Sequence, residues 1–157
     1  MSKFIVRVDK DNKPNSTGMW YVISPPDSKF AFYMNTRQKS KKIRNIMQNP
    51  NVSFIVPFPH HFLRIIPSST IEFRGIAKVL PLDSAEAISG FNEKYLLRKG
   101  LEKYTKEKQD SDDTDNVFVK IIPNNKVFCF GIGLSLLELK NNHEKGIFTV
   151  LIPSKRL

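Results

Sequence analysis

An antiparallel β-barrel carrying a few short helices is the fold class this chain of 157 residues predicts, and three observations predict it. Apolar residues recur with period two along much of the chain, the mark of strands with one buried face. Strands and helices do not alternate as a parallel sheet requires; early strands, a helix, more strands, a helical stretch and closing strands follow one another instead. A glycine, Gly75, interrupts the longest strand pattern, where a small barrel needs a bend or bulge. With 40% apolar and 11% aromatic side chains the chain can bury one core, and residues 1–157 read as a single domain.

The first strand is Phe4 to Asp9, and Asp11-Asn12-Lys13-Pro14-Asn15 after it carries loop chemistry. Met19 to Ser24 is the second strand, Pro25-Pro26-Asp27-Ser28 turns the chain, and Lys29 to Asn35 returns as the third, forming a hairpin. Phe30-Ala31-Phe32-Tyr33-Met34 is apolar on both faces, as a buried barrel strand should be. Gln38 to Asn49 places Ile43, Ile46 and Met47 at helical spacing, and Asn49-Pro50 ends that helix because a residue before proline is pushed out of the helical region.

Asn51 to Pro57 alternates Val52, Phe54 and Val56. Ser69 to Leu80 alternates again, with Ile71, Phe73, Ala77 and Val79 on one face and Glu72, Arg74 and Lys78 on the other. Asp83 and Glu86 have capping-box spacing and open a helical excursion to about Lys108, with a break at Gly90. Asp110 to Asp115 is an acidic loop. Val117 to Ile122 and Lys126 to Phe130 are two strands around a turn at Pro123-Asn124-Asn125, and Leu134 to Leu139 and Ile147 to Ile152 are the closing strands.

The formal charge is +10, and ten Lys or Arg stand in residues 1–48 against Asp9, Asp11 and Asp27. Such an excess implies an anionic partner: nucleic acid, a membrane surface or a phosphorylated small molecule. One cysteine, Cys129, excludes an intramolecular disulfide, and between Phe128 and Phe130 it reads as a core residue. With no signal peptide at Met1-Ser2-Lys3 the chain reads as cytoplasmic, and no apolar run approaches the roughly 20 residues of a membrane helix.

Arg37, Lys39, Lys41, Lys42 and Arg44 crowd the start of the first helix, with Thr36 as its N-cap. A helix N-terminus already carries partial positive charge, so acidic residues are the stabilising choice there. The crowding makes sense if a phosphate ester sits at this end, held by backbone N–H groups, the Ser40 hydroxyl and the lysine ammonium groups. A solvated basic face is the other reading of the same residues.

The strand ending Tyr33-Met34-Asn35, the basic helix with Lys39-Ser40-Lys41-Lys42, then Asn49-Pro50-Asn51-Val52-Ser53 and Glu72-Phe73-Arg74-Gly75 together resemble the pyridoxamine 5'-phosphate oxidase-like family of FMN-binding split β-barrels. The likeness runs from Phe4 to Leu80, with weaker support from Phe118 to Pro123. It implies a homodimer with FMN at the subunit interface, and an oxidoreductase acting on a small molecule or reduced nicotinamide. Ser40, Lys41 and Lys42 correspond to the phosphate binders, and Tyr33, Met34 and Asn35 to the strand end along the ribityl chain. Thr70 takes the place of a polar residue facing the flavin, and Met19, Trp20, Tyr21 and Val22 lie beside the isoalloxazine ring. Gly18 stands where the true oxidases carry a phosphate-binding arginine, and Val150 to Leu157 lacks their tryptophan- and arginine-containing ending. The resemblance therefore implies a substrate other than pyridoxine phosphate. Some related members use a deazaflavin coenzyme or haem, so a non-catalytic carrier or sensor is the second reading.

His60 and His61 are adjacent, so in an extended loop they point apart and make a poor metal chelate; no metal is expected. His61 and Arg64 are candidates for orienting an anionic substrate. Trp20 and Tyr21 suit stacking on a flavin and core packing equally. No Gly-rich phosphate loop, paired-cysteine site or nucleophile elbow is present, which leaves hydrolytic and kinase chemistry without support and assigns no catalytic residue. Nucleic-acid binding has only the charge and the aromatic strands behind it.

Overall fold

Proline, glycine and the apolar alternation set the strand ends, and the computed structural model, which describes residues 3–8, 13–58, 68–92, 116–142 and 144–157, shows how they join. The strands are β1 (Lys3–Val8), β2 (Pro14–Met19), β3 (Val22–Ile23), β4 (Phe32–Arg37), β5 (Asn51–Phe58), β6 (Ser69–Leu80), β7 (Asn116–Phe130) and β8 (Ile147–Leu151). The helices are α1 (Lys41–Gln48), α2 (Ala85–Asn92) and α3 (Leu136–Asn141). One antiparallel sheet runs β2-β1-β5-β6-β7-β4-β3, and β8 pairs with β7 beyond β4. The sheet curls without closing, so the mainly antiparallel architecture expected from the sequence holds.

Strand β7 organises the rest. Its first part pairs with β4 (Phe32↔Ile121 to Arg37↔Asn116), its second with β8 (Lys126↔Leu151 to Phe130↔Ile147), and its other edge follows β6 from Phe118 to Phe130 with one interruption. The expected turn at Pro123-Asn124-Asn125 is therefore absent: the chain runs straight on as one 15-residue strand. The turn residues form a bulge instead, because pairing steps from Phe73↔Val127 to Gly75↔Pro123 and leaves Asn124 to Lys126 opposite Arg74 alone. Pro123 lacks the N–H that a regular ladder needs, and a bulge is where a central strand tolerates it. Gly75 is obligatory at this crossing. A Cβ there would lie 2.1 Å from the Ile122 carbonyl oxygen and 2.7 Å from the Pro123 Cα, both backbone atoms that cannot step aside.

The interior is aromatic and centred on Phe32, whose ring lies 4.6 Å from Phe54, 4.8 Å from Phe73, 5.0 Å from Phe30 and 5.5 Å from Tyr21 between centroids. Offset and edge-on arrangements of this kind add to the burial of the rings themselves. Met34, Val119 and Ile121 fill the same core, and Ile43 and Ile46 of α1 close one end of it. Because successive strand residues face opposite ways, Val22, Tyr33 and Phe118 face outward, where Ala87 and Phe91 of α2 cover them as a second core. Val127, Cys129 and Ile152 make a third, under β8. Cys129 is buried, as its apolar setting predicted.

Several local expectations change. The second strand is displaced: β2 occupies Pro14–Met19, Trp20-Tyr21 break the ladder, and only Val22–Ile23 continue it. A polar segment forms β2 because main-chain bonds to β1, from Lys3↔Met19 to Val8↔Pro14, hold it. Leu134 to Leu139 is not a strand: Ser135 and Glu138 form a complete capping box that starts α3. Thr36 is not the N-cap of α1 but lies within β4, and Ser40 caps instead, its Oγ accepting from the Ile43 N–H at 3.4 Å. At α2 the helical bonds start from the Ser84 carbonyl, and the Glu86 carboxylate reaches out of the helix to the sheet, so Asp83 and Glu86 form no box. The continuation of the helical excursion through 93–108 and the acidic tract at 110–115 lie outside the described residues.

The Gly75→Ala variant is expected to lose about 1–3 kcal/mol of stability from overpacking at the crossing. Urea denaturation checks this: the midpoint should fall with the slope unchanged.

Candidate cofactor site

Strand β4 ends in a tight turn whose Ser40 N–H donates to the Arg37 carbonyl at 3.1 Å, and α1 starts directly after it. The first turn of α1 contains no acidic residue. Its N–H groups have no carbonyl within the helix to bond, and Ser40 accepts through its oxygen, which leaves the hydroxyl hydrogen able to donate. Lys41 is exposed and Lys42 half-buried, and Arg44 folds back to donate to the Lys39 carbonyl at 3.4 Å. Beside this turn, the Asn35 Nδ2 is buried with no hydrogen-bond partner, and the Nδ2 of Asn45, a residue of α1 only 4% exposed, is in the same state. A buried amide left unsatisfied is costly, so Asn35 at the end of β4 suits an oxygen-rich ligand.

The remaining sequence candidates fall on two sides of the sheet. Tyr33 and Met34 are neighbours on a strand and face opposite ways: Met34 is in the interior, and Tyr33 lies under α2. Tyr33 and Val22 are cross-strand partners. The Tyr33 hydroxyl donates to Glu86 Oε2 at 3.1 Å, and Lys120, the β7 partner of Tyr33, meets the same oxygen at 2.5 Å. Met19 is buried in the first core, Tyr21 is half-buried against Phe32 and Phe54, and Trp20 is 72% exposed. Tyr21 is thus a wall of the core, and Trp20 presents its ring to the surroundings. Thr70 is not beside Tyr33 within one chain. It pairs with Phe130, whereas the row of Tyr33 crosses β6 at Lys78, on the order of 25 Å further along the strand. His61 and Arg64 lie outside the described residues.

Residue-by-residue reading of the sequence missed Glu86 and Lys120. Their signal was weak: Glu86 sits where a helix-start acid is ordinary, and Lys120 is a lysine in an apolar strand. Burial raises the Tyr33 pKa above its ordinary 10.0, with Lys120 opposing and Glu86 adding to the rise. For Lys120, partial burial works to lower the pKa, but the Glu86 carboxylate and the Tyr33 phenol outweigh it and hold the pKa above 10.5. Burial alone raises Tyr21 and the Cys129 thiol, so Cys129 is kept in its unreactive form. Among the described residues no three His, Cys, Asp or Glu gather into a metal site, and no helix is long and apolar enough to cross a membrane.

A family profile described as pyridoxamine 5'-phosphate oxidase matches residues 4–125. The chain belongs to this family. A comparison with curated proteins finds no match. Among solved structures, the chain is similar to HutZ, the haem storage protein of Vibrio cholerae, with TM-score 0.62 and 17% identity over 84% of this chain and 87% of that one. It is also similar to a pyridoxamine 5'-phosphate oxidase-related, FMN-binding protein of Nostoc punctiforme, with TM-score 0.58 and 12% identity over 97% and 86% of the two chains. A third likeness is to an F420 reductase, with TM-score 0.51 and 21% identity over 79% and 86%. At these identities the shared property is the fold, the split barrel of the family, whose sheet stays open here.

Tyr33 and Lys120 both have folded pKa values above their unfolded ones, so the stability they contribute is complete below about pH 10 and is lost as pH rises through the folded values. Thermal melts between pH 8 and 11 should show the midpoint falling above pH 10, and the fall should be shallower in Tyr33→Phe.

Proposed function

We propose that this chain is a single-domain, homodimeric FMN-binding protein that acts as an oxidoreductase on a small organic substrate or reduced nicotinamide. The observation that carries the reading is the donor cradle at the start of α1: the Ser40 hydroxyl, first-turn N–H groups and the side chains of Lys41 and Lys42, next to the unpartnered amide of Asn35. A phosphate monoester supplies acceptors for all of these and offsets the charge of Arg37, Lys39, Lys41, Lys42 and Arg44. Mononucleotide chemistry fits the donor set, and a ribityl chain provides further oxygens for Asn35.

FMN, when bound, supplies hydride and electron transfer at its ring system. The protein's part is to hold and orient it. Lys41 and Lys42 neutralise the phosphate, Asn35 donates, and the segment Met19 to Val22, released from regular pairing at Trp20-Tyr21, offers main-chain groups to a ring. The Tyr33 hydroxyl is committed to Glu86, so Tyr33 contributes through the strand position it fixes and not as an acid or base. Gly18, paired with Phe4 in the β1–β2 hairpin, has no side chain to offer a phosphate. The cradle accordingly leans on Ser40, Lys41 and Lys42.

A second reading, a carrier or sensor of haem or a deazaflavin, draws support from the likeness to a haem storage protein and to an F420 reductase. The same cradle would hold the carboxylates or phosphate of those groups.

Absorption spectra of the purified chain titrated with FMN, a deazaflavin and haem separate the readings, with a perturbed FMN spectrum expected. Replacing Lys41 and Lys42 together by Ala removes two charge-assisted contacts of about 1.5 kcal/mol each, so FMN affinity should drop about 100-fold with the fold intact by circular dichroism. Unchanged affinity in the double variant would remove these lysines from the site.

A further inference from the structure

Among the described residues, the inward face of the sheet is covered toward α1 and open at the far end of β7. On the covered part Phe32, Phe54 and Ile121 are 1% exposed or less. On the open part three apolar residues packed against the core, Phe30, Ile71 and Phe73, stay half-buried. A groove of about 370 Å³ lies over them, lined also by Val127, Cys129 and Arg156. Water resting on such walls is a cost that an apolar occupant removes. The groove is separate from the cofactor cradle: Asn116 pairs with Arg37 beside the basic turn, whereas Val127 and Cys129 stand at the other end of β7.

One cation stands on this apolar lining, and it lacks a counter-charge. The Arg156 Nη1 donates to the carbonyls of Pro25 and Pro26, and its Nη2 reaches the Ser24 Oγ at 3.5 Å. The guanidinium lies 5.7 Å from the Phe30 ring centroid, which is itself 5.8 Å from that of Phe73. Among the described residues its side-chain partners are thus carbonyls, a hydroxyl and a ring, none of them negatively charged. The carbonyls hold the group in place without neutralising it, and Nε and the second Nη2 hydrogen are left for an acceptor. A guanidinium edge of this kind matches a carboxylate.

We propose that this groove binds a small amphiphilic carboxylate, with its apolar body against Phe30, Ile71, Phe73 and Val127 and its carboxylate on Arg156. The site does not depend on the cofactor reading above. Charge complementarity selects the occupant: a neutral apolar molecule leaves Arg156 without a counter-charge, and an inorganic anion leaves the apolar walls wet. Phe30 joins the two halves, because its ring stands between the guanidinium and Phe73. An anion held at Arg156 therefore has its body directed over apolar surface. Cys129, the one thiol of the chain, is 7% exposed and lines the same groove, where a bound molecule covers it.

Calorimetric titration with octanoate, and with octanol as the neutral probe of the same chain length, is the test, run with and without FMN. Octanoate is expected to bind about tenfold more tightly than octanol, and bound octanoate should slow the reaction of Cys129 with a thiol reagent. Arg156→Gln should raise the octanoate Kd about tenfold and leave that of octanol within about twofold. Because Arg156 also pins the C-terminal segment, a second variant is needed. Val150→Glu, at a groove position that is 44% exposed, sets a carboxylate beside the groove and leaves the Arg156 bonds in place. It too should weaken octanoate more than octanol, with circular dichroism unchanged. No binding of octanoate, equal binding of the two probes, binding that leaves Cys129 as reactive as before, or octanoate affinity unmoved by both variants would each overturn the site. Failure of FMN to bind would overturn the cofactor reading and leave these results as they are.

Discussion

The crossing of β6 and β7 at Gly75 and Pro123 is the constraint on which the other features of this molecule depend. At that point the Ile122 carbonyl presses where a side chain would otherwise be, and the ladder loses register over Asn124 to Lys126. The bulge lets one long strand serve two partners along the same edge, β4 before it and β8 after it. With β4 held there, Phe32 is placed at the centre of the aromatic core and the end of β4 is delivered to α1. With β8 held there, an apolar edge is left at the far end.

Sidedness along β4 explains why the candidate site is divided. A strand can offer one set of alternate side chains to a surface, and here the inward set, Phe32, Met34 and Thr36, belongs to the core, while Tyr33 and Asn35 face the side covered by α2. Tyr33 is tied by Glu86 and Lys120, which fixes α2 against the sheet through a shared carboxylate oxygen. Asn35, one step further along that face, is left with a buried donor. The boundary between a satisfied polar group and an unsatisfied one therefore falls between Tyr33 and the basic turn.

The C-terminal segment has a structural part of its own. The Arg156 guanidinium donates to the carbonyls of Pro25 and Pro26 and lies 5.7 Å from the Phe30 ring centroid, and its own carbonyl accepts from the Phe30 N–H at 2.7 Å. The segment after β8 is thereby pinned to the turn between β3 and β4, beside the apolar groove that β8 borders.

Much of this was written in the sequence itself. The alternation in β5 and β6, the role of Gly75, the helix at Ile43 and Ile46, the buried Cys129 and the family all follow from local periodicity and short motifs, because a buried strand face and a glycine at a close approach leave marks in the residues concerned. What was not legible depended on partners far away in the chain. The polar β2 is a strand only because β1 pairs with it, Pro123-Asn124-Asn125 is a bulge and not a turn because β6 continues beside it, and Glu86 bonds Tyr33 from 53 residues away. Hydrogen bonds between distant segments carry no periodicity, so tertiary structure alone decided them, as it decided that Thr70 and Tyr33 lie far apart along the sheet of this chain.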